Sequence, residues 1–144
     1  MRLLLQRVKS ASVSIDKKKV SEIGPGLLVF VGIHRDDTPE SIERIVPKMV
    51  NLRIFGDEEG KINHSLLDVK GEVLIVSQFT LYGRCERGRR PDFLLSAPPE
   101  KAIPLYEKFI EKVKNQGIKV QTGQFGAVMD VELVNDGPFT IILE

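Results

Sequence analysis

The sequence lacks several residues that carry common chemistries: it has one cysteine, no tryptophan and two histidines among 144 residues. The lone Cys85 excludes an intramolecular disulfide and a cysteine-based zinc site. Residues 27–31 form the longest wholly apolar run, which is far short of the roughly 20 residues that span a bilayer. The N-terminal leucines form a short run with no small-residue cleavage site after it. We therefore expect no signal peptide, no membrane partner and a cytoplasmic location.

A surplus of charge of one sign is also lacking. Twenty-one Lys and Arg against 20 Asp and Glu leave a formal net charge of +1. A balance this even excludes a protein coated in positive charge that grips RNA anywhere along its length. It leaves open a local basic cluster whose charge is cancelled by acids elsewhere.

The apolar residues are those of an ordinary globular protein and predict one domain over residues 1–144. A chain of this length buries about two thirds of its unfolded surface without disulfides or metals. The pattern predicts a β-rich α/β fold with two main helices, in which mixed or antiparallel sheets curl towards a barrel. The predicted strands are residues 3–8, 12–15, 20–23, 27–33, 72–79, 118–121, 128–134 and 139–143.

Both predicted helices begin beside a proline. Pro39 follows a candidate N-cap, Asp37 or Thr38, and the second helix starts at Pro99 or the next residue and ends at Gly117. Pro47 falls inside the apolar face of the first helix, where it would cost about 3 kcal/mol. We therefore expect a kink or a break at Pro47.

Polar side chains follow the apolar strand 73–76, namely Ser77, Gln78 and Thr80. Loops at the ends of strands on a rigid scaffold are a common place for active sites. Ser77 or Thr80 could be a nucleophile, or the hydroxyls and local backbone N–H groups could form an oxyanion hole. The alternative is a strand that simply turns polar as it leaves the core.

The remaining candidates for catalysis are weaker. His34 and His64 lack metal-ligand spacing, and the sequence offers Cys85 no base. No Gly-rich phosphate loop is present. We therefore expect no metal and no cofactor.

Two other segments carry unusual residues. Four arginines in a predicted loop, whose forked donors suit phosphate oxygens, could contact nucleic acid or could simply be solvated. The residues are Arg84, Arg87, Arg89 and Arg90. Residues 135–137, Asn-Asp-Gly, favour a tight turn before Pro138, and an ordinary hairpin turn is the alternative.

These same segments, taken in order, resemble a known family. The Ser-Gln-Phe-Thr run at 77–80 and the Asn-x-Gly-Pro-x-Thr run at 135–140 are together highly specific. The resemblance is to the bacterial and eukaryotic D-aminoacyl-tRNA deacylases (D-tyrosyl-tRNA deacylases), and it covers essentially the whole chain. It also includes residues 6–8, 51–55, 60–63, 88–93 and 123–127.

The resemblance implies a homodimer that hydrolyses the ester between a D-amino acid and the 3′-terminal adenosine of tRNA. Residues 77–80 would receive the adenosine and the ester carbonyl. The implied catalytic residues are Ser77, Gln78, Phe79 and Thr80. Met129 joins the substrate-binding residues. Residues 83–87 depart from the family, which is usually less Arg-rich there, and we expect the four arginines listed above to contact the tRNA acceptor end.

The resemblance also implies a chirality filter. Gly137-Pro138 is cis in that family and enters the partner subunit's pocket, with Arg7 as a support. Rigid carbonyls there would occupy the space of an L side chain, so L-aminoacyl-tRNA is rejected while glycine is not fully excluded. Clearance of mischarged Gly-tRNA(Ala) would follow. Phe139 stands where the family usually has a smaller valine.

For the mechanism we expect water attack on an activated ester, with backbone N–H groups near Phe79 and Thr80 stabilising the oxyanion and the ribose 2′-hydroxyl assisting. Two other functions stay open. One is a non-catalytic RNA- or nucleotide-binding module that uses the same pocket, and the other is a related deacylase that prefers glycyl- or L-alanyl-tRNA.

Overall fold

A long N-terminal strand organises the fold in the computed structural model, which describes residues 1–86 and 88–144. The main sheet is formed by β1 (Arg2–Ile15), β2 (Lys18–Ile23), β3 (Gly26–Gly32), β6 (Glu72–Ser77), β7 (Val120–Thr122) and β8 (Asp130–Leu143). The other elements are α1 (Pro39–Asn51), the hairpin strands β4 (Phe55–Gly56) and β5 (Ile62–His64), a 3₁₀ helix (Phe79–Tyr82) and α2 (Pro99–Lys114).

The sheet has the order β2-β1-β3-β6-β7, and β8 pairs with the other edge of β1. β1 is antiparallel to β2, β3 and β8, whereas β3, β6 and β7 run parallel to one another. The first half of β1 pairs with β3 and its second half with β2, so the sheet bends along β1 until it is nearly a closed barrel. The predicted β-rich mixed sheet with two helices is confirmed.

Two pairs of predicted strands are each one long strand in the structure. Residues 3–8 and 12–15 join in β1, and residues 128–134 and 139–143 join in β8. The β1–β8 register shifts on both sides of Val8, and such bulges let a strand continue past residues that break the alternation. The tight turn predicted at residues 135–137 is therefore wrong: this segment is an irregular excursion within β8.

The two helices pack against each other and against one face of the sheet. Their buried apolar residues join those of β1 and β3 in the larger core. A smaller core, which includes Val13, Leu28 and Leu74, fills the inside of the curled sheet. Of the described residues, no helix is long and apolar enough to cross a membrane.

Helix α1 continues through Pro47 to Asn51, so the break that we considered there is not found. Pro47 and Glu43 are both exposed. The carbonyl of Glu43, which loses its helical partner at Pro47, can therefore bond to water. On the opposite face Val46 and Met49 are fully buried, and their packing holds the helix together.

Candidate active site

A cavity of about 530 Å³ opens at the ends of the parallel strands β3 and β6. Val31 pairs with Ser77 in this part of the sheet. Because parallel strands end at the same edge, the polar residues that follow β6 lie beside the end of β3. The cavity is lined by Val31, Ile33, Val76, Ser77, Gln78, Phe79, Ala97, Pro99, Ala102, Phe125, Gly126, Ala127, Met129 and Val131. Its volume suits a small-molecule group.

Four of the residues predicted for the site line this one cavity: Ser77, Gln78, Phe79 and Met129. Thr80 does not line it, but its hydroxyl accepts a hydrogen bond from the side-chain amide of Gln78. The exposed Thr80 thus lies beside the cavity mouth. The roles of these residues in catalysis stay predictions.

The 3₁₀ helix that carries Phe79 and Thr80 is held at both ends. The Ser96 hydroxyl donates to the carbonyl of Phe79 at 2.9 Å, and the Arg2 guanidinium donates to the carbonyl of Leu81 at 2.7 Å. A peptide unit is planar, so fixing the Phe79 carbonyl also fixes the Thr80 N–H of the same unit. The direction of one candidate oxyanion donor is therefore set by the fold.

Phe79 lines the cavity and is also open to solvent. The residue is 57% exposed, and its ring packs edge-on against Phe93 with the centroids 5.0 Å apart. A large apolar surface left open to water is a common mark of a binding site or interface. A ligand or a second chain that covers Phe79 would remove this surface from water.

Ionisable groups are missing from the cavity wall. None of the described residues that line it is acidic, basic or a histidine. His34 lies elsewhere, with its Nδ1 accepting from the Asp36 N–H at 3.1 Å and its ring against Tyr82. The described residues contain no group of three His, Cys, Asp or Glu side chains that could hold a metal ion. The polar groups that these described lining residues offer are hydroxyl, amide and backbone groups.

Gly137 and Pro138 lie outside this chain's own cavity. Both are exposed, and the peptide bond between them is cis. Arg7 contacts this segment, because its Nε donates to the Asp136 carbonyl at 2.8 Å while its Nη1 donates to the Ile54 carbonyl at 2.5 Å. The excursion in β8 is thus tied to the start of the β4–β5 hairpin.

Phe139 turns inwards rather than towards the cavity. Its ring is packed against the larger core and lies under the Arg7 guanidinium, 4.8 Å from the ring centroid. This is a cation–π contact. The larger side chain at this position therefore fills space beneath Arg7.

Comparison with known proteins identifies the family. The family model described as D-Tyr-tRNA(Tyr) deacylase matches residues 4–144. The chain belongs to this family. The D-aminoacyl-tRNA deacylase of Thermosipho africanus is 56% identical over 144 residues, a match that covers 100% of this chain and 97% of that relative. The D-aminoacyl-tRNA deacylase of Brevibacillus brevis is 53% identical over 144 residues, with 100% of this chain and 99% of the relative covered.

Two solved structures share the fold of this family member. One is described as c-Myc DNA Unwinding Element Binding Protein, with a TM-score of 0.93 at 42% identity, over 100% of this chain and 98% of the other. A probable eukaryotic D-amino acid tRNA deacylase has a TM-score of 0.86 at 23% identity, over 99% and 97% of the two chains. The expected family and an enzyme that hydrolyses aminoacyl-tRNA are thus confirmed.

The types of residue in the sequence do not predict one wall of the cavity. Phe125, Gly126 and Ala127 line it, although the sequence marks residues 123–127 only as part of the family resemblance. The signal that could have found them is an aromatic residue between two glycines. Gly126 has a φ of +76°, a conformation that favours glycine.

Tyr106 supports this wall from behind. Its ring lies 5.7 Å from that of Phe125, and its hydroxyl donates to the Ile75 carbonyl at 3.1 Å. Ile75 also accepts the Gly123 N–H at 3.0 Å, where β6 and β7 end. Burial raises the pKa of Tyr106 above its usual range, so the phenol stays a hydrogen-bond donor.

The arginines predicted to contact tRNA are not equivalent in the structure. Arg84 forms an ion pair with Asp92, in which its Nε donates to Oδ1 and its Nη2 donates to Oδ2, both at 3.2 Å, and this hydrogen bonding lowers the pKa of Asp92. Arg89 and Arg90 are exposed. Arg87, the fourth predicted tRNA contact, lies outside the described residues.

Proposed function

We propose that residues 1–144 act in the cytoplasm as one deacylase domain that hydrolyses the ester of D-aminoacyl-tRNA. The carrying observation is the cavity at the end of β6, which has Ser77, Gln78 and Phe79 on its wall and no ionisable side chain among its described lining residues. Such a site suits an ester that is already labile, for which positioning and oxyanion stabilisation supply the rate.

In the proposed reaction, water attacks the ester carbonyl carbon and the carbonyl oxygen becomes an oxyanion. The backbone N–H groups of Phe79 and Thr80 stabilise that charge. The bond from the carbonyl carbon to ribose O3′ then breaks. The proton lost by water reaches O3′ through the neighbouring 2′-hydroxyl, and the products are the D-amino acid and tRNA.

Chiral selection is proposed to come from a second copy of the chain. Gly137 and Pro138 are exposed and lie apart from their own cavity, so they are available to a partner. In a homodimer they would enter the partner's cavity, where their carbonyls would occupy the space of an L side chain. Glycine has no side chain to reject, so mischarged Gly-tRNA(Ala) would also be a substrate.

The decisive experiment follows ester loss from D-Tyr-tRNA, L-Tyr-tRNA and Gly-tRNA with the purified protein. Rapid loss of D-Tyr, slower loss of Gly and background loss of L-Tyr are expected. Release of no amino acid above background would leave an RNA-binding module. Equal loss of D-Tyr and L-Tyr would remove the chirality filter, and a preference for Gly-tRNA over D-Tyr-tRNA would indicate the glycyl-specific alternative.

Action across subunits can be tested by mixing two impaired variants. One carries a bulky substitution in the cavity, Ala102→Trp, and the other carries Gly137→Ala. If the filter acts in trans, mixed dimers contain one site with an intact cavity and an intact partner Gly137. Mixing should then restore discriminating D-Tyr-tRNA cleavage, whereas an unchanged sum of the two separate activities would argue for sites complete within one chain.

The exposed arginines are proposed to contact the phosphates of the tRNA acceptor end. Each lost contact should reduce the slope of log affinity against log salt by about 0.7 to 0.9. We therefore expect a shallower slope for the Arg89→Ala, Arg90→Ala variant. The matched control is Lys17→Ala, Lys18→Ala, which removes the same charge from exposed positions at the turn into β2. Equal slopes for both variants would eliminate this contact.

A further inference from the structure

Asn135 sits at the point where the pairing of β1 with β8 is interrupted. Gln6 pairs with Thr140 and Val8 pairs with Asn135, so the single residue Arg7 faces the four residues 136–139. An excursion of this size leaves backbone groups without their partners in the ladder. Partly buried groups of this kind need a replacement partner.

The side-chain amide of Asn135 supplies those partners. Its Nδ2 donates to the carbonyl of Arg7 at 2.8 Å and to the carbonyl of Phe139 at 3.0 Å. Its Oδ1 accepts the N–H of Phe139 at 3.4 Å. The amide therefore joins Arg7 on β1 to Phe139, the last residue of the excursion, in place of the interrupted strand pairing.

The same amide also lies against Gly137. A Cβ built on Gly137 would be 2.2 Å from Oδ1 and 2.9 Å from Cγ of Asn135. The backbone at Gly137 therefore rests directly on the Asn135 side chain. Arg7 holds the outer side of the excursion through the Asp136 carbonyl, but it makes no hydrogen bond to residues 137 or 138 among the described contacts.

We propose that Asn135 is a positioning residue that determines enantiomer specificity, because it fixes where Gly137 and Pro138 present their carbonyls. The inference rests on the proposed chirality filter. A filter that works by exclusion needs rigid carbonyls, since a displacement of about 1 Å would open space for an L side chain. Removing the amide would loosen the excursion without touching the cavity of the same chain.

The test compares Asn135→Ala with wild type for D-Tyr-tRNA and L-Tyr-tRNA. We expect the ratio of kcat/KM values, D over L, to fall on the order of tenfold or more, through a gain in L-Tyr-tRNA cleavage. A purely structural role would lower both activities together and leave the ratio unchanged. Asn51→Ala is the matched control, because the Asn51 amide makes one hydrogen bond, to the Pro47 carbonyl, at the end of α1.

Asn135→Asp keeps the size of the side chain and the Oδ1 acceptor but loses both donated hydrogen bonds. If the alanine variant fails to fold, the D over L ratio of kcat/KM is measured for this variant instead, and the same fall is expected. An unchanged ratio in a folded variant, with wild type discriminating, overturns this inference alone. A wild type that cleaves both enantiomers equally overturns the proposed filter and this inference together.

Discussion

Gly137 has no room for a side chain, and this makes it the most sensitive position of the excursion in β8. A Cβ would lie 2.2 Å from Asn135 Oδ1 and 2.6 Å from the backbone nitrogen of Phe139. The amide can move aside, but the backbone atom cannot move without disturbing the excursion. Gly137→Ala should therefore lower the free energy of unfolding by about 1–3 kcal/mol.

Urea unfolding monitored by circular dichroism checks this value. Gly56→Ala is the control, because a Cβ on Gly56 would meet nothing within 4 Å. It should change stability by no more than about 0.5 kcal/mol. Equal destabilisation by the two variants would show that the contact with Asn135 and Phe139 is not the cause.

Thr80 separates the two mechanisms that the sequence leaves open. Its hydroxyl is beside the cavity mouth and bonded to the Gln78 amide, and the described wall of the cavity offers it no base. Thr80→Ala keeps the backbone N–H, so we expect deacylation within about tenfold of wild type if water is the nucleophile. Single-turnover assays with D-Tyr-tRNA measure this, and loss of turnover with intact tRNA binding would assign the hydroxyl as the nucleophile.

Candidate site residues could be predicted from the sequence where they directly follow a predicted strand. Ser77 and Gln78 stand out because polar residues follow an apolar run directly. Phe125 and Ala127 look like ordinary loop residues, and only the folded chain brings them opposite β6. In the sequence Asn135 looks like a turn former. Its contacts with Arg7 and Phe139 could not be predicted, because they depend on the pairing of β1 with β8, which are far apart in sequence.

At the scale of elements, α1 carries a defect that packing overcomes. Pro47 removes one helical hydrogen bond, but the buried face on the other side of the helix continues to Val50. Pro47→Ala restores the N–H that Glu43 lacks, so we expect the free energy of unfolding to rise by about 1–3 kcal/mol, less the entropy that proline removes from the unfolded chain. Urea unfolding with an unchanged m-value measures the gain.

Pro39→Ala is the control for this prediction. Pro39 is the first residue of α1, where a helix does not use the N–H. This substitution should give no gain. A similar gain from both substitutions would show that the bond missing at Glu43 is not the cause.

The long strands show where prediction at this scale stops. The predicted strands leave out residues 9–11 and 135–138 and so count four separate strands, but each gap lies inside one strand that contains a bulge or excursion. Local sequence patterns do not reveal that β1 pairs with β8 along nearly its whole length. The buried strand at residues 27–33 and both helices were predicted correctly, because their signals are local and strong.

At the scale of the whole molecule, the two cores and the cavity share one support. β6 lies between β3 and β7 in the sheet: Leu74 faces the smaller core, Ile75 faces the larger one, and Ser77 reaches the cavity. Tyr106 links these layers through Ile75 and Phe125. The walls of the site are therefore held by the same packing that stabilises the whole domain. The free energy of unfolding of this domain should depend on pH.

The two tyrosines, the only ones in the chain, predict how that stability depends on alkaline pH. Burial raises the pKa of Tyr82 to about 12 and raises that of Tyr106 further, whereas an unfolded tyrosine has a pKa near 10. Below pH 10 both states keep their phenol protons, so this contribution is fully present. Between pH 10 and 12 the unfolded chain loses protons first, and the free energy of unfolding falls.

Each tyrosine should contribute a slope of at most about −1.4 kcal/mol per pH unit in that window. Urea unfolding at intervals from pH 8 to 11 measures the total slope. Tyr82→Phe should make this slope shallower and should change the free energy of unfolding less at pH 8 than at pH 11. Tyr106→Phe should lower stability near pH 8 by about 0.5–1.5 kcal/mol, because it removes the bond to Ile75. It should also make the alkaline slope shallower, so its deficit relative to wild type shrinks as the pH rises above 10. Lysines titrate equally in all three proteins, so a slope that neither substitution changes would mean that both phenols ionise in the folded state as they do in water.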